Sequence, residues 1–192
     1  MCQELCGVRH DGYGPWDITV AMREEITERE GPLDAHRPIY EGLRQHDNPW
    51  GESGTRGSWA EGLGLQKLGE ARATTLLFAG CSADRASGRS GARALAGILQ
   101  KAGEDFVILG SAEKCCGLYA FDLGFRHEYD RLKQINLDAL EKAKIDKVVV
   151  ACGSCHRIWR EYAKASQAGF QALHGVEYVN QLIESGRLRF SK

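Results

Sequence analysis

The sequence predicts an α/β fold: a doubly wound, mostly parallel sheet of about four strands, preceded by an α-helical N-terminal extension. Three observations lead there. Short continuous apolar runs recur in the second half of the chain, TTLLFA (74–79), DFVILG (105–110) and DKVVVA (146–151). Amphipathic segments separate them. The first run ends directly at Gly80 and Cys81, and the third at Cys152. Strands that are apolar throughout belong to a parallel sheet covered on both faces. Right-handed crossovers should join them.

The elements follow in order. Residues 17–30 read as an amphipathic helix, with Ile18, Met22 and Ile26 recurring every four residues. Residues 35–46 read as a second, weaker helix, so that 1–47 forms a helical N-terminal segment. Residues 48–73 are rich in Gly and turn formers, with Trp50 and Trp59 interleaved, and read as an ordered loop wrapping over the domain. From 74 to 192 strands alternate with helices. A helix over 88–102 turns Leu95, Ile98, Leu99 and Ala102 inward. A helix over 126–143 carries Tyr129, Leu132, Asn136, Leu140 and Ala143 along one stripe. A helix runs from about Ser154 to Gln167, FQALHG (170–175) is a short fourth strand, and 176–185 closes the chain with Val176, Val179, Leu182 and Ile183 inward.

Composition excludes several classes. The 192 residues carry a formal net charge of -1, which lacks the basic excess of a general nucleic-acid binder. No apolar run approaches the roughly 20 residues of a membrane helix, and the first residues, MCQELCGVRHDG, have no signal-peptide core. The expected location is cytoplasmic, peripheral to the inner membrane only through a membrane-bound partner. Seven cysteines, an odd number without an export signal, point to metal binding or catalysis rather than a disulfide framework.

Their placement is the informative part. Cys81 follows the first strand. Cys115 and Cys116 lie just past the second. Cys152 ends the third, and Cys155 sits in the first turn of the next helix. In an open parallel sheet the carboxyl ends of the strands share one edge, where ligands bind. The pattern C-x33-C-C-x35-C-x2-C therefore brings five cysteines to one place. Helix N-termini at that edge favour thiolates, the form that ligates metal or attacks disulfides. Gly80, Gly117 and Gly153 beside them allow close backbone approach. C-x-x-C alone is ambiguous among zinc, thioredoxin-like and iron–sulfur chemistry.

The segments LLFAGCSAD (76–84), ILGSAEKCCGLYAFDLG (108–124), VVVACGSCHRIWREY (148–162) and LHGVEYVNQLIESGRL (173–188) resemble the cysteine-rich CCG domain of iron–sulfur oxidoreductases. That family includes the catalytic subunit of heterodisulfide reductase, the iron–sulfur subunit of glycolate oxidase and one of the subunits of anaerobic glycerol-3-phosphate dehydrogenase. The resemblance implies a [4Fe–4S] cluster, of non-cubane type in some members, held by Cys81, Cys115, Cys116, Cys152 and Cys155. It implies a disulfide or small-molecule substrate, or onward electron transfer, with a ferredoxin-type or flavoprotein redox subunit as partner. Zinc is the alternative metal, since some domains of this type hold it. NPWG and GSWAEGLGL, within 48–65, are similar to the segment joining a ferredoxin module to such a domain. By that likeness Cys2 and Cys6 are the last two cysteines of a second, incomplete cluster motif, and the chain is expected to be the C-terminal part of a longer protein. Two departures stand: Gly153 replaces a common Pro, and there is one such domain where many members have two.

Other candidates are weaker. ADRASGRS (83–90) follows a strand but lacks the first Gly and the Lys of a phosphate loop. No G-x-G-x-x-G is present. His156 is a candidate proton donor to a leaving thiolate, since histidine titrates near neutrality. Lys114, Arg157 and Arg160 either offset cluster charge or face solvent, and Trp50 and Trp59 either shield the site or pack elsewhere. A metal-free thiol oxidoreductase using Cys152 and Cys155 leaves the other three cysteines without a role.

Overall fold

The computed structural model describes residues 14–51, 54, 56–166 and 169–189. Cys2 and Cys6 lie outside them. Among the described residues, seven α-helices surround one parallel sheet. Two helices come first, α1 (Pro15–Glu30) and α2 (Arg37–His46). Then follow β1 (Thr75–Phe78), α3 (Ala86–Lys101), α4 (Leu118–Leu123), α5 (Arg126–Ala143), β2 (Lys147–Val150), α6 (Gly153–Ala165), β3 (Gln171–His174) and α7 (Gly175–Glu184).

The sheet order is β1-β2-β3, all parallel, with Leu76 opposite Val148 and Val148 opposite Ala172. The expected second strand, 105–110, is cut to a bridge. Val107 pairs with Leu76 and Ile108 with Lys67, both parallel. The cause is local: Leu109 takes helical angles, and Gly110, at φ 57°, starts a turn through Ala112. The run still sits on the free side of β1, with Val107 N–H donating to the Thr75 carbonyl at 3.0 Å. The chain thus leaves β1 to one side and returns as β2 on the other. The carboxyl end of β1 is the switch point, where such sheets bind ligands.

Alternation along the strands divides the core. Leu76, Phe78, Val107, Val148 and Val150 face Leu132 and Leu140 of α5 and Ile158, Trp159 and Tyr162 of α6. Leu77, Ile108 and Val149 face Leu95 and Leu99 of α3 and Tyr178 and Leu182 of α7. Period-two burial on both faces explains why the strands read as continuous apolar runs. Trp159 anchors the first layer, edge-on to Phe78 at 5.0 Å and to Phe170 at 5.9 Å.

Two helix faces differ from expectation. In α7 the inward stripe is Gly175, Tyr178 and Leu182, while Val176 is 70% exposed. Tyr178 takes the core position because its hydroxyl donates to Glu104, so a polar tip hides an apolar ring. In α1 the helix forms as expected, but Ile18, Met22 and Ile26 face outward and Val20 is buried. Polar groups dock it: Arg23 donates to the Asp122 carbonyl at 2.5 Å, and Thr27 to the Gly124 carbonyl. The short helix α4 has no counterpart among the elements expected from the sequence. It lies between Gly117 and Gly124, both in the left-handed region, which start and stop it after one and a half turns.

Gly124 makes that docking checkable. Its φ is 79°, and a Cβ there would lie 2.6 Å from the Arg23 carbonyl oxygen. Gly124→Ala should cost about 1–3 kcal/mol of stability through left-handed strain and a displaced α1, read by urea unfolding.

Candidate metal centre

The loops leaving β1, the Val107–Ile108 bridge and β2 meet at the switch point, and each delivers cysteines. Cys81, Cys115, Cys116 and Cys155 are buried, and Cys152 is half-buried. The Cys116 and Cys155 sulfurs are 3.2 Å apart. Cys81 contacts Cys115, Cys115 contacts Cys116, and Cys152 contacts Cys155, so the five thiols form one continuous group.

Close approach depends on glycine at two places. Gly80 has φ 85°, and a Cβ there would stand 3.1 Å from the Cys155 sulfur. Gly117 has φ 87°, and its Cβ would meet the Tyr162 hydroxyl at 3.0 Å. Each permits a turn that a side chain would strain or block.

The electrostatics of the group are uneven. The Cys152 thiol, beside the Cys155 thiol and near the Ser154 and Cys155 N–H groups at the start of α6, is pulled down to about 5. Cys116 is also pulled down to about 5, by bonds from Cys115 and Cys155 and by the Leu118 N–H at the start of α4. Cys81, Cys115 and Cys155 are pushed up, first because they bond to neighbouring sulfurs and then by burial. Adjacent buried thiols cannot all ionise unless a cation joins them.

Three backbone groups of the pair have partners. Cys115 N–H donates to the Asp47 carbonyl at 2.8 Å, at the end of α2. Asn136 donates to the Cys115 carbonyl at 2.9 Å, and the Tyr162 hydroxyl to the Cys116 carbonyl at 2.6 Å. The Asp47 carboxylate also pairs with Lys114 at 2.8 Å and Arg131 at 2.7 Å. Burial works to raise its pKa, but those two bonds outweigh it and hold it low.

Below the pair lies Glu113, buried. Its carboxylate accepts from Ala79 N–H at 3.1 Å and Gly80 N–H at 2.9 Å, and pairs with Arg56 at 2.9 Å. Burial pushes this carboxyl up, against Arg56 and the two amides. Three donors around two oxygens are the geometry of an ionised carboxylate.

The other candidates occupy the margins. His156 Nε2 is 3.4 Å from the Glu177 carboxylate, without hydrogen-bond geometry, and its ring is 5.6 Å from His174. Trp50 stands at the surface, edge-on to Tyr119 at 5.8 Å with Arg85 over its face. Trp59 is in the core beside α3. Arg157 pairs with Asp122, and the Lys114 ammonium is engaged by Asp47 rather than by sulfur.

Sequence reasoning missed Tyr162, Asn136, Glu113 and Arg56 as supports of the site. Tyr162 had a signal, seven residues after Cys155 on the same helix face. Asn136 had one too, as a polar residue on an apolar stripe. Arg56 had none, because loop geometry alone brings it in.

The donor set fits a thiolate-ligated group. Five thiols are one more than a tetrahedral ion takes. Cys81, Cys115, Cys116, Cys152 and Cys155 would hold the group.

Fold and site together define an α/β domain with a cysteine centre at its switch point. Residues 75–158 match the family model of the cysteine-rich domain CCG. The chain is 32% identical over 180 residues to a probable membrane-anchored ferredoxin of Chromohalobacter salexigens, covering 90% of this chain and 27% of that protein. It is 27% identical over 183 residues to an EtfAB:quinone oxidoreductase of Syntrophomonas wolfei, covering 90% and 26%. It is 26% identical over 201 residues to a dihydromethanophenazine:CoB--CoM heterodisulfide reductase subunit of Methanosarcina mazei, covering 100% and 47%. The chain thus spans about a quarter to a half of the length of these relatives. No solved structure matches it significantly. No helix among the described residues is long and apolar enough to cross a membrane.

Tyr162→Phe removes one donor and little volume. It should leave the buried Cys116 carbonyl unpaired and cost about 1–3 kcal/mol in urea unfolding of metal-free protein.

Proposed function

We propose that this chain is an iron–sulfur redox subunit, with Cys81, Cys115, Cys116, Cys152 and Cys155 holding one [4Fe–4S] cluster, of non-cubane type. The observation that carries this reading is the continuous contact of five thiols at one sheet edge. The names of the relatives, a ferredoxin, a quinone oxidoreductase and a heterodisulfide reductase subunit, support it. Electrons come from a ferredoxin-type or flavoprotein subunit and pass to a disulfide or to another carrier. The bound cluster supplies one-electron chemistry at thiolate-ligated iron.

The chain's own residues do the rest. Burial of four of the five cysteines excludes water. Contacts with neighbouring sulfurs, and after them the N–H groups at the starts of α4 and α6, favour the thiolate form of Cys116 and Cys152. Half-buried Cys152 marks the open side, where a disulfide or a partner would approach. The His156 imidazole, next to Cys155, is the proposed proton source for a departing thiolate.

Cys116→Ser should lower bound iron and alter the visible spectrum, because its sulfur contacts those of both Cys115 and Cys155. Unchanged iron and spectrum would overturn the ligand set. His156→Ala should lower turnover of a disulfide substrate most at low pH, where an imidazolium is present to donate, and turnover unchanged at every pH removes its role.

A further inference from the structure

A buried charge cluster links the cysteine loops without using a thiol. Arg56 lies in the Gly-rich loop, its side chain 13% exposed. It donates to the Glu113 carbonyl at 2.8 Å and the Lys114 carbonyl at 3.3 Å, and pairs with the Glu113 carboxylate. A second carboxylate, Asp84, is 3.6 Å away and accepts from Gly57 N–H at 3.1 Å and Trp59 N–H at 3.2 Å. Glu113 is two residues before Cys115 and grips the amide of Gly80, one residue before Cys81. Asp84 is three residues after Cys81. One guanidinium therefore joins the Cys81 loop, the Cys115–Cys116 loop and the loop that covers both.

We propose that Arg56 is a positioning residue for the cysteine centre: through Glu113 it holds the Gly80–Cys81 turn against the Cys115–Cys116 loop, and its charge balances the anions gathered there. Burial opposes its charge, while Glu113, Cys81, Asp84 and Cys115 all favour it. Without it, two buried carboxylates would lie unpaired next to thiolates, an arrangement that destabilises strongly. A cluster in that field would be harder to reduce, since reduction adds negative charge. Lys is not equivalent here, because it keeps the charge but cannot bond both carbonyls and the carboxylate as a fork.

The part concerning potential rests on the iron–sulfur reading above, whereas the positioning part does not. The test uses the full chain in both forms. In metal-free protein, Arg56→Gln should speed hydrogen exchange at the Ala79 and Gly80 amides about tenfold or more, as expected for weakened bonds to a charged acceptor. In iron-loaded protein it should make the midpoint potential more negative. Arg56→Lys should keep the wild-type potential with faster exchange. The double variant Arg56→Gln/Glu113→Gln removes one charge of each sign, and should recover the potential but not the amide protection. Wild-type exchange rates in Arg56→Gln, or an unshifted potential, would overturn the proposal. If Arg56→Gln does not fold, Arg56→Lys decides: faster exchange with unchanged potential supports it, and wild-type exchange overturns it. If wild-type protein takes up no iron, the iron–sulfur reading fails, and exchange alone decides the role of Arg56.

Discussion

Five sulfurs in contact at the end of a parallel sheet create a charge problem that organises much of this protein. In a buried group, each thiolate makes the next one harder to form. The chain answers by setting two thiols apart: neighbouring sulfurs first, and then the N–H groups at the starts of α4 and α6, favour the thiolate form of Cys116 and Cys152. Backbone polar groups nearby are satisfied by Asn136, Tyr162 and Asp47 rather than by solvent. What remains is a set of thiols that gains by binding a cationic inorganic group, which is the property expected of a metal centre.

The scaffold makes that convergence inexpensive in chain length. Parallel strands end at a common edge, so three short loops suffice to gather residues far apart in sequence. Loop turns do the fine placement. Gly80 and Gly117 sit where a side chain would crowd Cys155 and Tyr162. Trp159, packed on Phe78 and Phe170, fixes the helix that carries Cys155. The N-terminal helices contribute as well, since the end of α2 accepts the Cys115 amide. They are part of the frame of the site rather than an appendage.

Much of this is legible in the sequence. The apolar runs mark β1 and β2 because both faces of the sheet are covered, and the Cys positions at strand ends follow from the geometry of parallel sheets. What stays hidden has physical reasons. Leu109 and Gly110 turn the chain after two paired residues, a backbone event that apolar periodicity does not encode. The phase of α7 differs from the apolar pattern because Tyr178 is apolar in its ring and polar only at its tip. The outward stripe of α1 cannot be foreseen, because Arg23 and Thr27 dock that helix through the carbonyls of Asp122 and Gly124. Arg56 reaches Glu113 across 57 residues, and no local pattern signals such a pairing.

The central claim is that the five thiols form one iron–sulfur site. Iron and acid-labile sulfide analysis of anaerobically purified protein, with electron paramagnetic resonance of oxidised and reduced samples, tests it most directly. The account predicts about four irons and four sulfides per chain, with a paramagnetic signal in one redox state. One zinc per chain, with no iron, no sulfide and no signal, would contradict it.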